Sequence, residues 1–259
     1  MNVLILGGNG MMGPWVIEAL AGRHTLRVTD INEAPPDFAH EYRRLSVADR
    51  DGVAAAAEGM DAIVNLSVLR EDRTQAFEVN VQGNYNLAVA AVRHGIRRIV
   101  NTGPHYQLAG QQYEDWDFDL NPDMPPQPGT RLYALTKALG QEVLRVFSER
   151  HDLYVQTLLF MGMRHPGTWL WNRHQPGDKA ILGQDLDRPF VIAWPDTGTA
   201  VRAALEVELA RLPSRCETYF TFARSPHRKF SSEKITRILG WQPAYHLEQF
   251  WIRPPDETG

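Results

Sequence analysis

Apolar and polar residues occur in blocks along the chain, and the first blocks predict a strand, a turn, a helix and a second strand. Four apolar residues at 3–6 precede Gly7, Gly10 and Gly13. Residues 14–20 begin with a proline, and residues 25–29 form a second strand-like run that finishes on Asp30. Short apolar runs beside turn residues indicate buried strands, and proline is favoured at the first position of a helix. The opening of the chain therefore predicts a βαβ unit.

The same alternation continues through residues 1–160. Further strands are predicted at residues 61–67, 98–102 and 153–160, and further helices at residues 53–59, 74–93 and about 130–150. Strands that alternate with helices favour a parallel sheet covered on both faces. The predicted fold class is α/β, a doubly wound parallel sheet of the Rossmann type.

The regular alternation of predicted strands and helices stops after Gly162. Residues 164–195 carry tryptophans among prolines and glycines without a helical period, and a helix at 201–212, a strand at 218–222 and a helix at 231–239 follow. We therefore expect a dinucleotide-binding domain at residues 1–162. Residues 163–259 are expected to form a smaller substrate-binding lobe, with elements that return to the first domain.

Composition narrows the class of protein. With 43% hydrophobic residues, the chain of 259 can bury a substantial core. A net charge of −4 without basic blocks argues against a nucleic-acid partner. No apolar run approaches membrane-spanning length, and the single cysteine, Cys216, suits a reducing compartment, so a cytoplasmic protein without a membrane partner is expected. The nine histidines lack metal-ligand spacing, and no metal site is expected.

The glycine turn predicts a phosphate-binding site. Glycine permits the tight turn and lets backbone N–H groups approach a pyrophosphate at the positive end of the following helix. Candidate cofactor contacts are therefore Gly7, Gly10 and Gly13 together with the intervening Met11 and Met12.

Asp30 predicts which dinucleotide binds. A carboxylate at the end of the second strand accepts hydrogen bonds from the adenosine ribose and repels a 2′-phosphate. No arginine follows Asp30 directly, so NAD is favoured over NADP. NADP remains an alternative, because folding can bring Arg27 or Arg43 near the ribose, where either could bind a 2′-phosphate.

Tyr133 and Lys137 are the candidate catalytic pair. They lie four residues apart on a predicted helix and therefore on one face. A free tyrosine titrates near about 10, and a nearby cation lowers the pKa of the phenol. Tyrosine then becomes able to take a hydroxyl proton while hydride leaves the same carbon. Lys137 is also placed to hold the nicotinamide ribose.

Together with these residues, several longer motifs resemble the extended short-chain dehydrogenase/reductase superfamily, in its NAD-dependent epimerase/dehydratase group. The motifs are GGNGMMG, DAIVNLS, EVNVQGNYNLAVAA, RRIVNTG, YALTKALGQEVL and ITRILGWQP. The resemblance implies that Tyr133 is the acid/base and Lys137 its partner. It also implies that Asn80 orders the active-site backbone and a proton-relay water, and that Leu66 and Ser67 line the nicotinamide ribose.

Two positions depart from the family pattern. The family has Ser or Thr after the fifth strand, where it binds the substrate hydroxyl. Counting back from Tyr106 gives Thr102 for this role, whereas counting forward from the strand gives Pro104, which has no hydroxyl. Thr102 is favoured, with His105 as the alternative. The aspartate found near the adenine in the family is replaced by Ser46.

The length and the stretch around Tyr133 are most similar to uronate and aldose dehydrogenases. Those enzymes place an arginine on the sixth strand to bind the sugar carboxylate, where this chain has 158-LLF-160. Arg164 and Arg173 are nearby substitutes, and Met11 stands where the subfamily has a polar side chain. The expected substrate contacts are Ser67, His105, Arg164 and a tryptophan, Trp169 or Trp171, as a stacking platform or lid.

These expectations favour an NAD-dependent oxidoreductase that acts on a hydroxyl of a small sugar or sugar acid. A nucleotide-sugar epimerase or dehydratase is the alternative enzyme, and a cofactor-binding regulator without turnover is the alternative of another class. Two helices, at 74–93 and 130–150, carry apolar residues on more than one face. With the resemblance, this predicts a homodimer.

Overall fold

Seven parallel strands form the main sheet of the computed structural model, which describes residues 1–69, 72–108, 120–164, 192–223 and 230–245. The strands are β1 (Asn2–Leu6), β2 (Thr25–Asp30), β3 (Glu41–Arg44), β4 (Ala62–Asn65), β5 (Arg98–Pro104), β6 (Tyr154–Phe160) and β9 (Cys216–Phe220). Their order across the sheet is β3-β2-β1-β4-β5-β6-β9. Two short strands, β7 (Met163–Arg164) and β8 (Ile192–Ala193), pair separately. The predicted doubly wound parallel sheet is confirmed.

Seven α-helices connect or cover these strands. They are α1 (Gly13–Leu20), α2 (Arg50–Ala57), α3 (Arg73–Phe77), α4 (Gly83–His94), α5 (Leu132–Arg150), α6 (Trp194–Glu206) and α7 (Glu233–Leu239), among the described residues. Their ends follow local rules: the Asp49 side chain accepts the Gly52 N–H at the start of α2, and Gly95 ends α4 with a φ of 67°.

The first strand shows how the two layers of core arise. Val3 and Ile5 point to a cluster that includes residues of α1, α6 and α7, whereas Leu4 and Leu6 point to a cluster with residues of α2, α4 and α5. All four side chains are fully buried. Successive side chains on a strand face opposite ways, so a run without polar residues belongs to a strand that is covered on both faces.

The strand order reverses between β1 and β4. From β1 the chain proceeds to β2 and β3 on one side, and from β4 to β5 and β6 on the other. In open α/β sheets, ligands bind beyond the carboxyl ends of the strands at such a reversal. The fold therefore places a crevice at the glycine turn after β1.

The helix predicted at 74–93 is interrupted by a π-helical turn. Residues Glu78–Gln82 form this turn between α3 and α4, so one extra residue is accommodated without ending the helix. Apolar spacing does not reveal such a turn, because the residues on either side keep an ordinary helical pattern. π turns are frequent at functional sites, and this one contains Asn80.

The helix predicted at 201–212 is wrong in its bounds. The structure begins α6 at Trp194 and ends it at Glu206, with Pro195 in its first turn. The proline and glycine of the first turn are typical of irregular structure, and the sequence therefore predicts the end of an irregular segment at Pro195. Proline is tolerated there, and Gly198 is the residue that lets α6 approach the Trp15 carbonyl of α1. Likewise, β9 lies two residues before the predicted 218–222.

Candidate active site

The turn after β1 has a backbone that only glycine permits at two points. Gly7 has a φ of 79°, and a Cβ there would lie 2.8 Å from the Ser67 nitrogen. A Cβ on Gly13 would collide with the Gly8 carbonyl. The turn is thereby pressed against the ends of β4 and α1, and the amino terminus of α1 faces the crevice. This is the arrangement in which backbone N–H groups bind a pyrophosphate.

Asp30 lies at the end of β2 with its carboxylate almost buried. Its Oδ2 accepts the Asn9 N–H at 3.0 Å, and its Oδ1 accepts the backbone and side-chain N–H groups of Asn32, both at 3.1 Å. Together with Ser46 and Ser67, it lines a cavity of about 300 Å³ that also contacts Gly7 and Gly10. The fixed carboxylate is therefore next to the glycine turn, where a ribose is expected.

Arg27 and Arg43, the two candidate partners of an NADP phosphate, are bound to the carboxyl end of α2. Arg27 donates to the Ala56 and Glu58 carbonyls at 2.7 and 2.8 Å, and Arg43 donates to the Ala55 carbonyl at 3.1 Å. Both also pair with Glu41. Neither is among the described residues that line the Asp30 cavity.

Lys137 is a buried ammonium on α5. Its side chain donates from Nζ to the Ser67 carbonyl at 2.8 Å and to the Thr102 carbonyl at 3.0 Å, and the residue is only 2% exposed. A buried charge is costly unless hydrogen bonds replace water. The two carbonyls lie just after β4 and within β5, so the lysine ties α5 to the carboxyl ends of adjacent strands.

A second cavity, of about 720 Å³, joins the glycine turn to α5. Its lining includes these predicted site residues: Gly7, Gly10, Met11, Met12, Leu66, Thr102, His105, Tyr133 and Lys137. Tyr133 lies one turn before Lys137 and contacts the ring of Tyr106 edge to face, with 5.8 Å between ring centroids. The structure thus brings the candidate catalytic pair and the cofactor turn into one cavity.

The hydroxyl of Thr102 points to the neighbouring strand. Oγ1 donates to the Asn65 carbonyl at 2.9 Å, while the Thr102 carbonyl accepts from Lys137. Pro104 also lines the cavity, and it offers no hydroxyl. His105 is 3% exposed and packs edge to face against Tyr106 and Phe230. Thr102 can still accept a hydrogen bond, and its carbonyl already orients Lys137.

Asn80 binds backbone at the edge of the cavity. From the π turn, its Oδ1 accepts the Leu69 N–H at 3.2 Å and its Nδ2 donates to the Leu69 carbonyl at 2.8 Å. Nδ2 also donates to Thr136 Oγ1 at 2.9 Å, beside Lys137 on α5. The side chain therefore links the segment after β4 to α5, the helix of the candidate catalytic pair.

Sequence reasoning missed two groups of residues at this site. The first group is three buried asparagines: the Asn65 side chain donates hydrogen bonds to those of Asn84 and Asn101. The second group is apolar and lines the cavity: Val68, Leu69, Phe160, Met161, Met163 and Trp194. The asparagines left a signal, since Asn65 and Asn101 are polar residues inside strands that are otherwise buried.

Some predicted substrate contacts fall outside the described residues. These are Trp169, Trp171 and Arg173. The backbone of Arg164 forms part of β7, and its side chain is outside the described part. On β6, Leu158 and Leu159 are buried in the cores and Phe160 faces the cavity.

The single cysteine lies in a buried environment. Burial raises the pKa of the Cys216 thiol to about 11, so at neutral pH the group is a thiol.

Two searches of the described residues concern metal and membrane. Within the described ranges, no three His, Cys, Asp or Glu side chains converge as metal ligands. None of the described helices combines the length and apolarity needed to cross a membrane.

Comparison with known proteins identifies the family. A model of the NAD dependent epimerase/dehydratase family matches residues 3–175. The chain belongs to this family. The glycine turn, the buried carboxylate of Asp30 and the cavity before Lys137 fit the NAD that the family uses, and they would hold its pyrophosphate, adenosine ribose and nicotinamide ribose respectively.

Relatives in this family include sugar dehydrogenases. The uronate dehydrogenase of Pseudomonas syringae pv. tomato is 25% identical over 157 residues, 59% of this chain and 56% of that protein. This match therefore spans little more than half of that enzyme. The L-arabinose 1-dehydrogenase (NAD(P)(+)) of Haloferax volcanii is 24% identical over 254 residues, 93% of this chain and 96% of that protein. A crystal structure of uronate dehydrogenase from Agrobacterium tumefaciens matches the fold with a TM-score of 0.75, 22% identity, and coverage of 99% of this chain and 91% of the other.

Asp30 generates a prediction on cofactor choice. NADH should bind at least several-fold more tightly than NADPH, because a clash with a nearly buried carboxylate costs more than one lost hydrogen bond. Asp30→Ala should narrow the difference, whereas Asp51→Ala, an exposed carboxylate in α2, should leave it unchanged. Calorimetric titration of both cofactors measures this. Equal affinities in the native protein would contradict the assignment.

Proposed function

We propose that this protein is an NAD-dependent dehydrogenase that oxidises a hydroxyl group on a small, sugar-like ring, with Tyr133 as the acid/base. The observation that carries the proposal is the fixed position of Lys137. Two main-chain carbonyls hold its ammonium one helical turn from Tyr133, in a cavity continuous with the glycine turn. Cofactor turn, cation and phenol thus converge at the carboxyl end of the sheet.

The proton chemistry follows from the pair. A cation close to a phenol stabilises the phenolate, so Tyr133 can take the proton of a substrate hydroxyl near neutral pH. NAD, when bound, supplies the acceptor for the hydride that leaves the same carbon. The Thr102 carbonyl orients Lys137, and its hydroxyl oxygen keeps a lone pair toward the substrate hydroxyl.

The described cavity wall favours an uncharged substrate. Among the described lining residues, Lys137 is the one permanent cation, and both carbonyls that bind it compete with any substrate carboxylate. Phe160 lies on β6, the strand where the uronate-binding arginine of similar enzymes is expected. Relatives that oxidise uronate and L-arabinose support a sugar ring, and this wall favours the neutral one.

A substrate panel tests this choice. Free aldoses, uronates and UDP-sugars should be assayed by NADH formation, and neutral aldoses should be oxidised at least as well as uronates. A clear preference for uronates would show that a cation outside the described wall binds the carboxylate. A preference for a UDP-sugar, or an epimerised product without net NADH, would instead support the nucleotide-sugar epimerase alternative.

Substitution of Tyr133 tests the mechanism on the substrate that the panel identifies. Tyr133→Phe should lower kcat by about 10²–10⁴-fold, because the phenol transfers the proton, and should leave NADH affinity nearly intact. Tyr154→Phe, at the far end of β6, is the matched loss of a phenol and should retain full activity. If Tyr133→Phe kept most of its activity, the proton would move through another group, and His105 would be examined first.

We also propose that the protein is a homodimer. Six apolar side chains on α3, α4 and α5 are each more than a third exposed: Phe77, Tyr85, Val92, Leu135, Leu139 and Val146. The helices α4 and α5 pack side by side, so these residues share one surface. An extended apolar surface of this kind marks an interface, and a second copy of the chain covers it by two-fold symmetry.

Light scattering at micromolar concentration should therefore give twice the chain mass of 29.4 kDa. Leu139→Glu should shift the protein toward the monomer, because each copy would then bury an unpaired charge in the proposed interface. Glu18→Lys, a charge change on α1, is the control and should leave the dimer intact. A clean monomer for the native chain would remove the proposal.

A further inference from the structure

Three buried asparagines behind Lys137 form one hydrogen-bonded group. Asn65 ends β4, Asn84 lies on α4 and Asn101 lies on β5, and none is more than 2% exposed. The Asn65 Nδ2 donates to Asn84 Oδ1 and to Asn101 Oδ1, each at 3.1 Å. Buried amides are costly unless their hydrogen bonds are satisfied, and a core of apolar side chains would serve stability as well. Their presence here points to a positional role.

The group continues to the segment that follows β4. Asn65 Oδ1 accepts the Ser67 N–H at 3.1 Å, while Asn80 binds both the N–H and the carbonyl of Leu69. Asn84 connects Asn65 to Asn80: its Oδ1 accepts from Asn65, and its Nδ2 donates to the Asn80 carbonyl at 2.6 Å. Residues 67–69 are therefore held at both ends by a continuous chain of amides.

One glycine on the catalytic helix makes room for this chain. A Cβ on Gly140 would collide with the Asn80 carbonyl and would lie 2.5 Å from Asn84 Nδ2. Gly140 follows Lys137 by three residues, so it lies on the same side of α5. The close approach of α5 to the amides is thus built into the helix that carries the catalytic pair.

Asn65 is the member of the group that is hydrogen-bonded to both residues whose carbonyls bind Lys137. Its side chain binds the Ser67 N–H, and Ser67 offers its carbonyl to Nζ. Its own carbonyl accepts the Thr102 hydroxyl, and Thr102 offers the second carbonyl to Nζ. We infer that the Asn65 side chain is a positioning group: it holds Ser67 directly and Asn101, the residue before Thr102, and through them the carbonyls that bind the ammonium of Lys137. The bond from Thr102 to the main-chain carbonyl of Asn65 does not depend on this side chain. For the role of Lys137 in cofactor binding, the inference rests on the proposed function.

Chemical labelling of the cofactor-free protein tests the inference directly. Acetylation by acetic anhydride, followed by peptide mass spectrometry, gives the rate at Lys137 relative to that at Lys234. Lys234 is a suitable internal reference because it is a second buried lysine, paired with Glu217 at 2.6 Å on the far edge of the sheet. Asn65→Ala should raise the Lys137/Lys234 ratio by about 10-fold, the size of a coupling between residues of one network.

The controls separate position from stability. General loosening raises both rates and leaves their ratio constant, and this is the expected result for Gln156→Ala, which removes another buried amide, bonded to the Ala204 carbonyl of α6. Asn84→Ala keeps the Asn65–Ser67 bond and removes the bridge to Asn80, so it should raise the ratio less. If Asn65→Ala does not fold, the Lys137/Lys234 ratio of Asn84→Ala alone tests the inference. An unchanged ratio in both asparagine variants would overturn the inference.

NADH titration provides the second readout. Asn65→Ala should weaken NADH binding by about 5–10-fold in the native background and by less than about 2-fold in a Lys137→Met background, because a residue that acts through Lys137 has no further effect once Lys137 is gone. Equal losses in the two backgrounds would show a merely structural role. If the native protein bound no NADH, the proposed function would fail, while the labelling ratio would still decide the role of Asn65.

Discussion

The burial of the Lys137 side chain is the constraint around which this site is arranged. Lys137 replaces its lost hydration with the carbonyls of Ser67 and Thr102. Both carbonyls have to be close together and available to the lysine. Ser67 lies just beyond the end of β4, and Thr102 lies in β5 directly after Asn101, the last residue paired with β4. The carboxyl ends of adjacent parallel strands therefore meet that requirement. The lysine can therefore be buried only because the sheet topology places β4 and β5 side by side.

Ser67 is the residue at which the glycine turn and the candidate catalytic lysine contact the same stretch of backbone. Its nitrogen lies against Gly7, its carbonyl binds Lys137, and its hydroxyl is buried without a hydrogen-bond partner in the described structure. A side chain at position 7 would displace Ser67 and with it one of the two carbonyls. Gly7 is thus required for the position of Ser67, and through it for a hydrogen bond of Lys137, in addition to the shape of the turn.

The sequence predicted those parts of the site that depend on local spacing. Gly7, Asp30 and the Tyr133–Lys137 pair lie where short motifs placed them, because a turn or a single helical face determines their geometry. The partners of Lys137 were not predictable, since main-chain carbonyls leave no trace in residue type. Asn84 was missed for a related reason: its partners come from β4 and from the π turn, and only tertiary structure brings them together. The start of α6 was not predicted because proline and glycine occur both in irregular segments and in the first turns of helices. At Gly198, packing against Trp15 favours the helix, and the sequence alone does not show that packing.

The π-helical turn at Glu78–Gln82 limits how this part of the chain can change in length. It holds one residue more than the same stretch of α-helix, so deletion of any single residue there would restore regular winding. The α-helical residues on either side would keep their faces, because the π turn absorbs the extra residue within one wide turn, but the residues inside the turn would point in new directions. Asn80 would face away from Leu69, although no residue in contact with a ligand had been altered. The number of residues between Arg73 and His94 therefore determines where Asn80 points, independently of which side chains the rest of the helix carries.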